Sequence, residues 1–219
     1  MNSINFEPWV GKNHATTGYH GKKILVLGES HYCDKELAKG GRCYPTCKKE
    51  QMDKACFSQT HDVVQEAVYE YNGQPYLRCF VTLERAVTGK ELSQQEREDF
   101  WQSVIFYNYI QYAVTRPGES PNNEYWGKSE KAFVELLEYY MPDYIIVWGA
   151  RLYNGLPDLG GHALKLNVSD EYTADVWIYP IHGKNIPALK IYHPSMPRGK
   201  NWHFWHEVIA KYLDTSLII

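Results

Sequence analysis

The sequence predicts a three-layer α/β/α sandwich in which helices cover both faces of a central, mainly parallel four-stranded sheet, and three observations lead there. Short apolar runs rich in β-branched and aromatic residues recur along the chain, each bounded by polar or turn residues. Segments with apolar residues at helical spacing lie between them. Such alternation suits parallel strands, because a parallel crossover needs a connection long enough to hold a helix.

In chain order, the strand runs are Ile24 to Leu27, Val104 to Tyr109, Tyr144 to Trp148 and Ala188 to Tyr192, with Val176 to Tyr179 expected as an edge or hairpin strand. A helix is expected over Asp62 to Tyr71, capped by Thr60 or His61. Another runs from Ser93 to Gln102, where Ser93 and Glu96 have the spacing of a capping box. Ser129 to Tyr140 places Phe133, Leu136, Leu137 and Tyr140 on one helical face and is stopped by Pro142. Trp202 to Leu213 forms the last helix, and Arg116 to Asn123, rich in Pro, Gly and Asn, reads as a surface loop.

With 219 residues and 44% hydrophobic content, the chain has enough material for one substantial core, so 1–219 is expected to be a single domain. There is no apolar run long enough to span a bilayer, and the opening MNSINFEPWVGKNHATTG is too polar and too broken by Pro and Gly for a signal peptide. A cytoplasmic protein with no membrane partner is the expectation. The net charge of -3 argues against strong non-specific binding to duplex DNA, which calls for a positive excess. A local basic loop such as Arg198-Gly199-Lys200 suffices to hold a few phosphates.

Ligands of parallel α/β sheets collect beyond the carboxyl ends of the strands. The unusual residues fall there: Gly28-Glu29-Ser30-His31-Tyr32 after the first strand, Asn108 near the end of the second, Gly149-Ala150-Arg151 after the third, and His193-Pro194-Ser195 after the fourth. Gly28 allows a turn or a close approach that a side chain would block. His193 sits at a strand end, held by Pro194, with the Ser195 hydroxyl two residues on.

These elements, in this order, resemble the uracil-DNA glycosylase superfamily. Gly28-Glu29-Ser30-His31-Tyr32 is similar to its first motif, G-Q-D-P-Y in one branch and G-E-A-P-G in the iron-sulfur branches. Ile105-Phe106-Tyr107-Asn108-Tyr109 resembles the strand whose Asn reads the base, and Ile191-Tyr192-His193-Pro194-Ser195 the H-P-S motif. Pro142 to Ala150 also looks like a strand region of the family. The resemblance implies a uracil-DNA glycosylase-like domain that hydrolyses the N-glycosidic bond of a damaged base in DNA, as in base excision repair.

Carried across residue by residue, the resemblance implies that Asn108 pairs with a pyrimidine edge and that His193 stabilises the charge developing on a base oxygen. It implies further that Ser195 contacts a phosphate while the loop Met196-Pro197-Arg198 approaches the strand. Phe57, Tyr32 or Tyr44 supplies a ring to stack on the base. The departures alter the chemistry. Ser30 stands where one branch has its water-activating Asp, leaving Glu29 as the candidate general base, and His31 replaces the usual Pro with a titratable group.

Cys33, Cys43, Cys47 and Cys56 cluster after the first motif, within an expected insertion loop over 33–60. In a cytoplasmic protein such a cluster suggests Zn or an iron-sulfur cluster more than disulfides. The C-x9-C-x3-C-x8-C spacing lacks the paired C-x2-C of zinc sites and differs from the ligand placement of the iron-sulfur glycosylases, so free thiols and no cofactor are the default.

Two alternatives stay open. One is a non-catalytic protein that holds a nucleobase, a nucleotide or nucleic acid in the same pocket. The other is a serine hydrolase, weakened because Gly28-Glu29-Ser30 lacks the second Gly of a G-x-S-x-G elbow and supported only if Ser30 bonds to a His.

Overall fold

The computed structural model describes residues 2–32, 54–114, 119–195 and 201–215, with the side chains of residues 54 and 55 left aside. Among the described residues, seven strands form one mixed sheet. They are β1 (Trp9–Val10), β2 (Ile24–Gly28), β3 (Val104–Asn108), β4 (Tyr144–Trp148), β5 (His162–Ser169), β6 (Tyr172–Ile181) and β7 (Lys184–Ile191). The helices are α1 (Lys54–Gln65), α2 (Arg78–Thr88), α3 (Gln94–Trp101), α4 (Asn123–Tyr140), α5 (Ala150–Gly155) and α6 (Trp202–Asp214), with a π-helical turn at Glu66–Glu70 after α1. Sheet order is β1-β3-β2-β4-β7-β6-β5.

The four strand runs read from the sequence become β2, β3, β4 and β7, with parallel pairings β3 to β2, β2 to β4 and β4 to β7. The expected four-stranded sheet is nevertheless too small. Antiparallel β1 adds to the β3 side, and β6 and β5 continue antiparallel from β7. Val176 to Tyr179 belongs to the ten-residue β6, which is the hairpin strand of the expectation, antiparallel to both β5 and β7, and lies inside the sheet with no edge exposed. The edge role falls to β5, whose mostly exposed or half-buried residues His162, Lys165 and Asn167 keep the outer rim polar.

Strand alternation sends side chains to two cores. On one face Ile24, Val26, Val104, Phe106, Ile146 and Trp148 pack with Val64 of α1, Phe80 and Leu83 of α2, Trp101 of α3, and Val208, Ile209 and Tyr212 of α6. On the other, Leu25, Leu27, Ile105, Tyr107, Ile145 and Val147 meet Phe133, Leu136 and Leu137 of α4 and Leu152 of α5. Helices thus cover both faces.

Helix starts follow local chemistry. The Ser93 capping box forms as expected: its side chain accepts from the Glu96 backbone N–H while the Glu96 carboxylate accepts from the Ser93 N–H. α4 begins earlier than expected because the Asn122 side chain caps it by accepting from the Tyr125 N–H at 2.9 Å. The helix expected from Asp62 instead begins at Lys54, so Thr60 and His61 lie inside α1 and neither caps it. No described helix is long and apolar enough to cross a membrane.

Candidate functional site

β2 ends at Gly28, and the polar segment beyond it is tied to the chain leaving β3. Backbone N–H groups of Tyr109, Ile110 and Val114 donate to the carbonyls of Gly28, Glu29 and His31 at 2.9, 2.8 and 2.9 Å. Because Gly28 pairs with Asn108 in register, the first motif and the candidate base-reading Asn are neighbours. A Cβ at Gly28 would stand 2.2 Å from the Asn108 Oδ1 and 2.8 Å from the Trp148 Nε1. Only glycine permits those two polar atoms to approach so closely.

Gly28, Asn108 and Trp148 follow Val26, Phe106 and Ile146 by two residues on their strands, so all three lie on the same sheet face as the Trp101 core. His193, two residues after Ile191 of that face, continues the row from β7, its ring centroid 5.7 Å from that of Trp148. Three of the sequence-selected motifs therefore converge at one end of the sheet, with Trp148 between Gly28 and His193.

His31 is buried at 4% exposure. Its Nε2 lies 3.0 Å from the Thr60 Oγ1 of α1, and the Asn108 Nδ2 is 3.3 Å from Nδ1 and 3.4 Å from Nε2. The Phe6 ring packs against the imidazole at 4.4 Å. Burial pushes the His31 pKa down to about 3, so the ring is neutral at physiological pH. It braces the Asn108 amide and is sealed from bulk water. The backbone carbonyl of Asn108 accepts from the Gln111 side chain at 2.9 Å.

Glu29 is held by Arg151 from α5, whose Nε donates to Oε2 at 2.8 Å and whose Nη2 donates to Oε1. The same guanidinium reaches the Ser120 Oγ at 2.6 Å. Both oxygens of the candidate general base are thus engaged in a bidentate ion pair. Ser30 is half-buried, and among the described residues it makes no hydrogen bond to a histidine. The arrangement expected of a serine nucleophile activated by His is not formed there.

At His193, the backbone N–H of Ser195 lies 3.2 Å from Nδ1 and the Ser195 Oγ 2.7 Å from it. A backbone amide only donates, so Nδ1 must be the unprotonated nitrogen. Burial, and secondarily the Arg151 charge, lower the His193 pKa, which keeps the ring neutral. A neutral imidazole accepting at Nδ1 carries its proton on Nε2. His193 therefore presents Nε2–H as a donor, and Ser195 is engaged in orienting it.

Tyr32 is 45% exposed, with its backbone carbonyl accepting from the Gln59 side chain at 2.8 Å. Phe57 faces a different place: with Ile4, Glu7, Pro8, Val10, His61 and Tyr140 it lines a cavity of about 420 Å³ whose lining includes none of the motif residues. Cys56 sits half-buried on α1, while Cys33, Cys43 and Cys47, along with Tyr44 and Arg198, lie outside the described residues. Of the expected loop over 33–60, residues 54–60 form the start of α1.

Nothing in the sequence assigns Arg151, Thr60 or Trp148 a place in the site. Arg151 was visible only as a residue after a strand, and its partner Glu29 is 122 positions away. Thr60 resembled a helix cap, and Trp148 the end of an apolar strand. No family model matches the chain, and no curated protein matches it.

Proposed function

We propose that the protein is a divergent hydrolase of the uracil-DNA glycosylase type, acting on the N-glycosidic bond of a base in DNA at the carboxyl ends of β2, β3, β4 and β7. The observation that carries this reading is the neutral, Nε2-protonated His193 at the end of a row that also holds Asn108 and Gly28. As the glycosidic bond breaks, its electrons move onto the base and charge grows on the base oxygens. An N–H donor fixed beforehand beside such an oxygen stabilises that charge without transferring a proton. Asn108, its side-chain amide braced by His31 and its backbone carbonyl by Gln111, supplies a rigid amide for the base edge.

With both oxygens held by Arg151, Glu29 contributes to this mechanism as part of an ion pair that shapes the floor of the loop. The same observation favours a second reading, a protein that binds the base or nucleotide without cleaving it, because the Arg151 pair occupies one acceptor position on each oxygen of the candidate water-activating carboxylate.

Base release from single-stranded and mismatched uracil-containing DNA separates the two. The hydrolase reading expects free base, falling by a factor of about 10²–10³ in His193→Ala and strongly in Asn108→Ala, with a smaller loss in Glu29→Gln. No release, with binding by the wild type that Asn108→Ala abolishes, gives the binder. If the protein neither binds nor cleaves, both readings fall.

A further inference from the structure

We infer that Trp148 is a base-reading residue: its indole N–H and the side-chain oxygen of Asn108 form a donor–acceptor pair above Gly28 that takes a base edge carrying an N–H beside an acceptor, such as the lactam of uracil. The inference rests on the nucleobase reading of this site and specifies which edge the site reads.

Gly28 leaves open a space that two polar atoms enter. Asn108 Oδ1 and Trp148 Nε1 approach the position of the missing Cβ to 2.2 and 2.8 Å, from the strands on either side of β2. Trp148 is 4% exposed and Asn108 6%, so both side chains have given up nearly all their water. A buried indole N–H ordinarily finds a partner, since leaving one unpaired costs about 1–3 kcal/mol. Among the described residues, Trp148 Nε1 has none.

Position distinguishes this atom from other unpaired groups. The sealed, unpartnered polar atoms among the described residues are His14 Nε2, Arg85 Nε and Tyr107 Oη. Neither Trp148 Nε1 nor Asn108 Oδ1 belongs with them; both lie at the carboxyl ends of their strands, in the row that His193 continues. Asn108 has turned its Nδ2 toward His31, which leaves its oxygen as the free half of the amide. The site thus offers one fixed donor and one fixed acceptor close together.

The indole cannot swing away to find water. Phe106 and Phe80 pack against it at centroid distances of 4.9 and 5.3 Å, and His193 bounds it at 5.7 Å. A donor fixed in this way discriminates by what it leaves unpaired. A base lacking the matching N–H strands the Asn108 oxygen, and one lacking the acceptor strands the indole.

The test follows the indole resonance of Trp148, assigned through bonds, in ¹H–¹⁵N spectra of the whole protein during titration. The probes are 1-methyluracil and 1-methylcytosine, each of which has an N–H next to an acceptor, and 1,3-dimethyluracil, which keeps the shape and carbonyls but lacks the N–H. The expected result is a saturable shift of that resonance with at least one of the first two and none with the third. Trp148→Phe, which keeps a ring but removes the donor, is expected to weaken binding by about tenfold. The wild-type titration reads the contact even if that variant fails to fold.

A base that binds through Asn108 without moving the Trp148 resonance overturns the inference and leaves the nucleobase reading standing. Equal binding of 1,3-dimethyluracil also overturns it. If none of the probes binds, the inference falls together with the reading on which it rests.

Discussion

Protonating His31 means placing a charge among Thr60, Asn108 and the Phe6 ring, where no solvent solvates it, and this is why its pKa falls to about 3. In the unfolded chain the same ring titrates near its ordinary 6.5. Below that value the unfolded state binds a proton that the native state refuses. The stabilisation is therefore complete above about pH 6.5 and declines as pH falls toward 3, with a loss of about 2 kcal/mol by pH 5 from this residue. His14, lowered to about 4 chiefly by burial, acts with the same sign. Urea unfolding of the wild type at pH 7.5 and 5 is expected to show the decline, and His31→Asn to flatten it. An unchanged slope in the variant would mean that His31 is not sealed in solution. None of this was visible in the sequence, where His31 read as a titratable candidate catalytic residue in place of a proline; burial at 4% exposure removes it from that role. Gly28, Asn108 and His193 were legible because each interrupts or ends an apolar run, where a chain that needs only packing would place another apolar residue.

Helices α2 and α3 are joined through a buried ion pair. Glu84, fully buried on α2, accepts from the Arg97 Nε at 2.9 and 3.2 Å and from the Trp101 Nε1 at 3.2 Å. Arg97 is itself 13% exposed at its side chain, so removing one charge strands the other in a poorly hydrated place. Glu84→Gln is expected to cost about 3 kcal/mol, read as a lower denaturation midpoint. Adding Arg97→Met is expected to restore much of it, and a double variant as unstable as the single one would place the cost elsewhere. Legibility at this scale divided by how local the signal was. α3 announced itself through Ser93 and Glu96, and β4 through an uninterrupted apolar run. α2 opens without a capping side chain, and its Cys79, Phe80, Val81 and Thr82 have a strand-like composition, so packing rather than propensity makes it a helix. The two-residue β1 is too short for any periodicity to register.

One sheet runs unbroken from β1 to β5, and both hydrophobic clusters are built on its two faces. Loss of either cluster removes support from the other. Unfolding is expected as a single transition, with tryptophan fluorescence and far-ultraviolet circular dichroism superimposing along a denaturant series. An earlier loss of the β5–β6 end would appear as two separated curves. The whole-molecule pattern of helices on both faces followed from the alternation of segments, and the hairpin strand at Val176 to Tyr179 was legible, whereas β5 was not, because it carries His162, Lys165 and Asn167 where a buried strand would carry apolar residues. The position of β7 has a consequence in time. Among the described strands it is the last to be made, yet it pairs directly with β4, with β6 and β5 outside it. While the ribosome is still adding residues 149–183, the apolar strand Tyr144–Trp148 waits with its outer backbone edge unpaired. Until β7 emerges, the nascent chain carries an open template for mispairing, and that interval is when a chaperone has most to protect.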